Sequence, residues 1–146
     1  MKIAIAGATG LVGREMQKVM EEIPAFADIE LIPAASARSA GAKIRYSGKE
    51  LTVVSMEDCL AQKPVIALFS AGSAVSLEWA PRFAEAGCFV VDNSSAWRME
   101  AHIPLLVPEI NAHELNRDTK IIANPNCSTI QLVLALAPLH RAFGLK

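Results

Sequence analysis

Short apolar runs of strand length alternate along this chain with longer segments whose apolar residues recur every three or four positions. The spacing predicts strands over 2–6, 29–35, 65–70, 88–92 and 120–123. It predicts a helix over 11–23, with Leu11, Val12, Met16, Val19, Met20 and Ile23 on one face, and another over 128–143. A further helix is expected to begin at Ser73 or Ser76 and to end near 86, with Pro81 forcing a late start or a kink. Residues 43–46 and 51–54 flank Ser47-Gly48-Lys49 and read as a hairpin, while 57–61 reads as a short helical turn. Pro104, Pro108 and Asn111 give loop chemistry around the apolar run 103–107.

Strands alternating with helices predict βαβ crossovers. The fold class is α/β: a doubly wound, mostly parallel Rossmann-type sheet with helices on both faces. The runs 65–69 and 89–91 are apolar on both faces, as strands covered on both sides are. Ligands in such sheets bind beyond the carboxyl ends of the strands, here just after Ala6, Ala35, Phe69, Val91 and Ala123.

Composition narrows the classes. A chain of 146 residues with a formal net charge of −1 suits one domain and gives no electrostatic reason to expect nucleic acid or an anionic membrane as partner. The longest apolar stretch, 130–139, is interrupted by Gln131 and Pro138 and is too short to span a bilayer. The first residues lack the pattern of a signal peptide. Cys59, Cys88 and Cys127 are odd in number and lack metal-ligand spacing, which suits a reduced, cytoplasmic protein without a metal site. Apolar residues reach 52% and the mean hydropathy is +0.31. Those values predict a large buried sheet together with a surface that meets another unit.

The first strand runs into Gly7-Ala8-Thr9-Gly10-Leu11-Val12-Gly13, a G-x-x-G-x-x-G variant of the dinucleotide fingerprint. Gly7 allows the tight exit, Gly10 lets a pyrophosphate approach the backbone, and Gly13 lets the helix pack closely on the sheet. The helix N-terminus then faces the anion. The alternative is an ordinary glycine-rich turn. The second strand ends without the Asp or Glu that bonds a ribose 2′-hydroxyl in NAD-binding folds. It ends instead in Ser36-Ala37-Arg38-Ser39, where a guanidinium flanked by two hydroxyls suits the 2′-phosphate of NADP, although a solvated loop arginine would look the same. Ser70-Ala71-Gly72-Ser73 follows the third core strand with small residues that let a cofactor pass; Ser73 or Ser76 also suits a helix N-cap. Asn93 and Arg98 lie in the polar run after the fourth, where Arg98 could hold a phosphate or carboxylate or form a surface ion pair.

Asn124-Pro125-Asn126-Cys127-Ser128-Thr129 follows the last strand. Pro125 stops the strand and the final helix starts immediately, so Cys127 sits at a helix N-terminus, where amides and dipole stabilise a thiolate. Beside a nicotinamide, a thiolate is a suitable nucleophile for an aldehyde or acyl group. A small buried residue at a turn is the competing reading, and it is the better one for Cys59 and Cys88.

These segments, with Val-Asp-Asn-Ser-Ser-Ala-Trp-Arg-Met at 91–99 and Leu-Val-Pro-Glu-Ile-Asn at 106–111, resemble the aspartate-β-semialdehyde dehydrogenase family over the whole chain. The related N-acetylglutamyl-phosphate reductases share the glycine turn and a cysteine, but usually carry an aromatic after it; Ser128-Thr129 favours the semialdehyde enzymes. The resemblance implies that Cys127 forms a thiohemiacetal with aspartate semialdehyde. Oxidation by NADP leaves an acyl-thioester, and phosphate releases aspartyl phosphate; biosynthesis of lysine, threonine and methionine runs the reverse. It implies phosphate binding by Arg98, positioning of substrate or nicotinamide by Asn126, and a cofactor lined by Gly7, Thr9, Gly10, Leu11, Val12, Gly13, Ser36, Arg38, Ser39, Ser70, Ala71, Gly72 and Asn93.

The family's second domain supplies a general-base histidine, a substrate-binding arginine, a glutamine and most of a homo-oligomer interface. By that resemblance, 1–146 is the dinucleotide-binding domain ending on the cysteine helix, and the C-terminal catalytic and dimerisation domain lies outside the chain. His102, His113 and His140 do not match the family's base. The last helix is apolar nearly all round and is expected to be buried against something, or else to drive self-association. The chain alone is expected to bind NADP weakly or not at all when dilute, and to turn over negligibly. A non-catalytic NADP-binding module and an interaction protein using the last helix remain the alternatives.

Overall fold

The computed structural model describes residues 1–145. These residues form seven strands, β1 (Lys2–Ala6), β2 (Glu30–Ala34), β3 (Lys43–Tyr46), β4 (Lys49–Thr52), β5 (Ile66–Phe69), β6 (Phe89–Asp92) and β7 (Ile121–Ala123), with helices between all but β2, β3 and β4. The helices are α1 (Leu11–Glu22), α2 (Met56–Ala61), α3 (Ser73–Glu85), the single turn α4 (Pro108–Asn111) and α5 (Cys127–Phe143). Five strands form one parallel sheet in the order β2-β1-β5-β6-β7, and β3-β4 stands apart as an antiparallel hairpin. The order reverses beside β1, which creates the crevice that a doubly wound sheet offers to ligands.

Side-chain alternation along β1 divides the core. Ala4 and Ala6 face α2 and α3, packing with Met56, Cys59, Trp79 and Phe83. Ile3 and Ile5 face α1 and pack with Met20, Leu31 and Tyr46. The expected two-sided cover is incomplete at β5 and β6. Toward α1, Ile66, Leu68 and Val91 line an open apolar groove of about 510 Å³ with Val12, Met16 and Val19. One helix is too narrow to close that face of a five-stranded sheet.

Local chemistry explains the other departures. The hairpin turn is two residues, because Tyr46 pairs with Lys49. Ser47 and Gly48 have φ of 47° and 76°, the left-handed pair of a type I′ turn. α3 begins at Ser73 and runs through Pro81. The carbonyl that Pro81 leaves without a donor belongs to Leu77, which is exposed to water. Leu105 extends the sheet edge by one bridge to Ala123. α5 starts at Cys127, one residue before the expected position, and none of its residues is buried. Leu132, Leu136, Leu139 and Phe143 all face solvent.

Candidate active site

The glycine turn is fixed from three sides. Gly7 and Ala8 donate their N–H groups to Ala34 O at 2.8 and 3.0 Å. The buried Gln17 side chain donates to Ala8 O at 2.8 Å and Gly13 O at 2.9 Å, tying α1 to the turn. Gly7 has φ of 93°, and a Cβ there would lie 2.5 Å from Ser70 O. A Cβ on Gly13 would lie 2.2 Å from Gly7 O. Both glycines are therefore required by close backbone approach as well as by the turn. No side chain caps α1, so the N–H groups of Leu11, Val12 and Gly13 remain available to an anion. The uncapped helix end and the side-chain-free approach at Gly7 fit a dinucleotide.

A cleft of about 500 Å³ opens above this turn. Of the residues expected around a cofactor, it brings together Gly7, Thr9, Gly10, Ser36, Arg38, Ser39, Ser70 and Ala71. Gly13 is buried beneath the turn, and the Val12 side chain lines the apolar groove, which leaves Leu11 and Val12 only their backbone N–H groups to offer. Gly72, with φ of 90°, precedes α3 and does not line the cleft. Glu57 and Glu78, on α2 and α3, also line it, and no motif in the sequence marks them.

Asn93 and Arg98 belong to a second polar cluster, at the ends of β6 and β7. Arg98 donates through Nε to Asn124 O and through Nη2 to Asn93 O, both at 3.0 Å. The Asn124 side-chain amide donates to Asn93 Oδ1 at 2.8 Å. Asn124 opens the cysteine motif, and nothing local in the sequence reveals its partner 31 positions away. Asn126 is the N-cap of α5, its Oδ1 accepting the Ser128 N–H at 3.0 Å.

Cys127 is exposed and is the first residue of α5. It lies on the same carboxyl edge of the sheet as Gly7, with β1 and β7 separated by β5 and β6. Three interstrand steps correspond to roughly 14 Å across that edge. Cys59 and Cys88 are buried, and both thiols are pushed up to about 12, chiefly by burial; the neighbouring Cys88 contributes to the shift of Cys59, while Lys120 partly offsets that of Cys88. None of the three histidines stands beside Cys127 along the chain. His102 lines a hollow with Thr119 and Lys120, at the opposite end of β7. His113 sits in a 3₁₀ turn, and His140 is in the last turn of α5, about 20 Å along the helix. Among the described residues no group of His, Cys, Asp and Glu could hold a metal ion, and no helix is long and apolar enough to cross a membrane.

Residues 2–117 match the family described as semialdehyde dehydrogenase, NAD binding domain. The chain is 51% identical to an aspartate-semialdehyde dehydrogenase of Aquifex aeolicus, covering 99% of this chain and 43% of that protein. A Bacillus subtilis aspartate-semialdehyde dehydrogenase is 46% identical, with 99% and 42% covered. The chain thus spans less than half the length of these relatives. Its fold superposes on Vibrio cholerae aspartate semialdehyde dehydrogenase II complexed with ASA at a TM-score of 0.91 and 46% identity, covering 99% of this chain and 47% of that one. The Candida albicans enzyme with NADP gives 0.78 and 25%, covering 99% and 48%. With four-fifths of its length matching the family model on a fold that carries the glycine turn, the chain belongs to the semialdehyde dehydrogenase NAD-binding-domain family.

Proposed function

We propose that this chain is the NADP-binding half of an oxidoreductase that interconverts aspartate semialdehyde and aspartyl phosphate through an acyl-thioester on Cys127. The observation that carries the reading is the exposed Cys127 at the start of α5, on the sheet edge that also holds the glycine turn. The uncapped end of α1 would receive the pyrophosphate, and Arg38, Ser36 and Ser39 the 2′-phosphate. Bound there, the cofactor supplies the hydride acceptor in one direction and the donor in the other.

The chain's own residues supply the rest of this half-site. The Cys127 sulfur adds to the aldehyde carbon and carries the acyl group until phosphate displaces it, which regenerates the thiolate. Asn126 fixes the first turn of α5 and so the direction of the thiol. Arg98, held by two strand-end carbonyls, keeps its remaining N–H donors for an anion. Because the chain spans less than half the length of its relatives, the general base, the second domain and the homo-oligomer contact are on this reading assigned to polypeptide outside residues 1–146. The reduced thiols and the biosynthetic reaction suit the cytoplasm.

The test is alkylation. Iodoacetamide labels Cys127 first, and in the protein that includes the second domain millimolar NADP with aspartate semialdehyde slows that labelling. Alkylation at an unchanged rate under both ligands overturns the proposal.

A further inference from the structure

A second cavity, of about 670 Å³, adjoins the cofactor cleft and shares Thr9, Arg38 and Ser39 with it. One wall is α1, contributing Arg14 and Lys18, and the other is β3, contributing Lys43 and Arg45. Residues four apart on a helix, and two apart on a strand, project from one face, so each pair is aimed the same way. Five cations meet a single lining carboxylate, Glu21, and that carboxylate already accepts the Ser47 N–H. The two lysines are partly neutralised: Lys18 pairs with Glu15 at 3.5 Å and Lys43 with Glu50 at 3.4 Å. Arg14, Arg38 and Arg45 have no carboxylate partner among the described residues. Arg14 is nonetheless held, its Nε donating to Thr9 O at 3.1 Å.

Three guanidinium groups around one cavity repel one another unless an anion joins them, and each presents a planar fork suited to phosphate. Within the cofactor cleft, Glu57, and Glu78 partly neutralised by Arg82 at 3.8 Å, disfavour an anion on the α2 and α3 side. The Arg38 boundary between the two cavities is therefore where a phosphate monoester is most favoured.

We propose that Arg14 and Arg45 are specificity-determining residues for the 2′-phosphate of NADP, completing with Arg38 a cradle that straddles the two cavities. This rests on the cofactor reading above. The three arginines are exposed, so the discrimination is salt-sensitive and each contributes a modest factor.

The experiment titrates the 146-residue chain with adenosine 2′-monophosphate, adenosine 5′-monophosphate and inorganic phosphate, following amide shifts by NMR. The wild-type chain prefers the 2′-ester. Arg14→Ala and Arg45→Ala each weaken it by about two- to fivefold. The 5′-ester is unchanged, and the amide spectrum shows an intact fold. If Arg38→Ala alone abolishes the preference while Arg14→Ala and Arg45→Ala leave it intact, the cradle is refuted and the cofactor reading survives. Absence of any 2′ preference in the wild type refutes both. Inorganic phosphate binding as tightly as the 2′-ester overturns the assignment to a nucleotide.

Discussion

Replacing Gly13 by alanine isolates the close packing that the glycine turn requires. Gly13 sits inside α1, where alanine is intrinsically better by about 1 kcal/mol. Its new Cβ would meet Gly7 O at 2.2 Å, Gly7 C at 2.9 Å and Ala8 Cα at 3.0 Å. All three are backbone atoms of a turn anchored to Ala34 O and to Gln17, so no flexible side chain can move aside. α1 must withdraw by about 1 Å, and overpacking of this kind costs about 1–3 kcal/mol or somewhat more. The expected net loss is about 0–2 kcal/mol, or a Tm lowered by up to about 8 °C for a chain of this size. Urea unfolding at unchanged m measures it. Gly10→Ala is the internal control: its Cβ would stand 3.2 Å from Gly7 O, a contact that small shifts relieve. A Gly13→Ala chain more stable than wild type, as for a glycine in an open helix, would refute the packing argument.

Three other outcomes are expected. Peptide mapping of native chain finds Cys127 alkylated while Cys59 and Cys88 stay unmodified until urea unfolds them, because both are buried and held neutral. The same two raised thiols contribute stability that is fully present below the ordinary thiol value near 9 and lost as pH rises toward about 12. Alkaline titration of the unfolding free energy therefore falls by up to about 1.4 kcal/mol per pH unit for each thiol, and Cys59→Ala with Cys88→Ala flattens the slope. Sedimentation shows concentration-dependent association that Leu136→Glu with Phe143→Ser weakens, at a cost within about 0.5 kcal/mol of stability because both side chains are exposed.

Much of the fold was legible because its signals are local. Strand and helix periods, the Ser47-Gly48 turn and the spacing of Gly7, Gly10 and Gly13 each depend on a few consecutive residues. The order of elements along the chain followed, and so did the list of strand ends at which chemistry could sit. The limits were equally local. Pro81 predicted a late start or a kink, yet α3 begins at Ser73 and runs through it, at a point where Leu77, the residue whose carbonyl loses its donor, is exposed.

What the tertiary structure decided is how distant positions meet. The sheet order brings Arg98 onto Asn93 O and Asn124 O, binding β6 to β7, and folds the β3-β4 hairpin so that Arg45 shares a cavity with Arg14 and Arg38. Gln17, an unremarkable polar residue within a helix, becomes buried where its side-chain amide donates to Ala8 O of the glycine turn and to Gly13 O of its own helix. The residues of the chain thus specify turns and faces through neighbouring backbone dihedrals. Which faces touch depends on strand order and crossover side, a choice made by burial summed over the whole molecule.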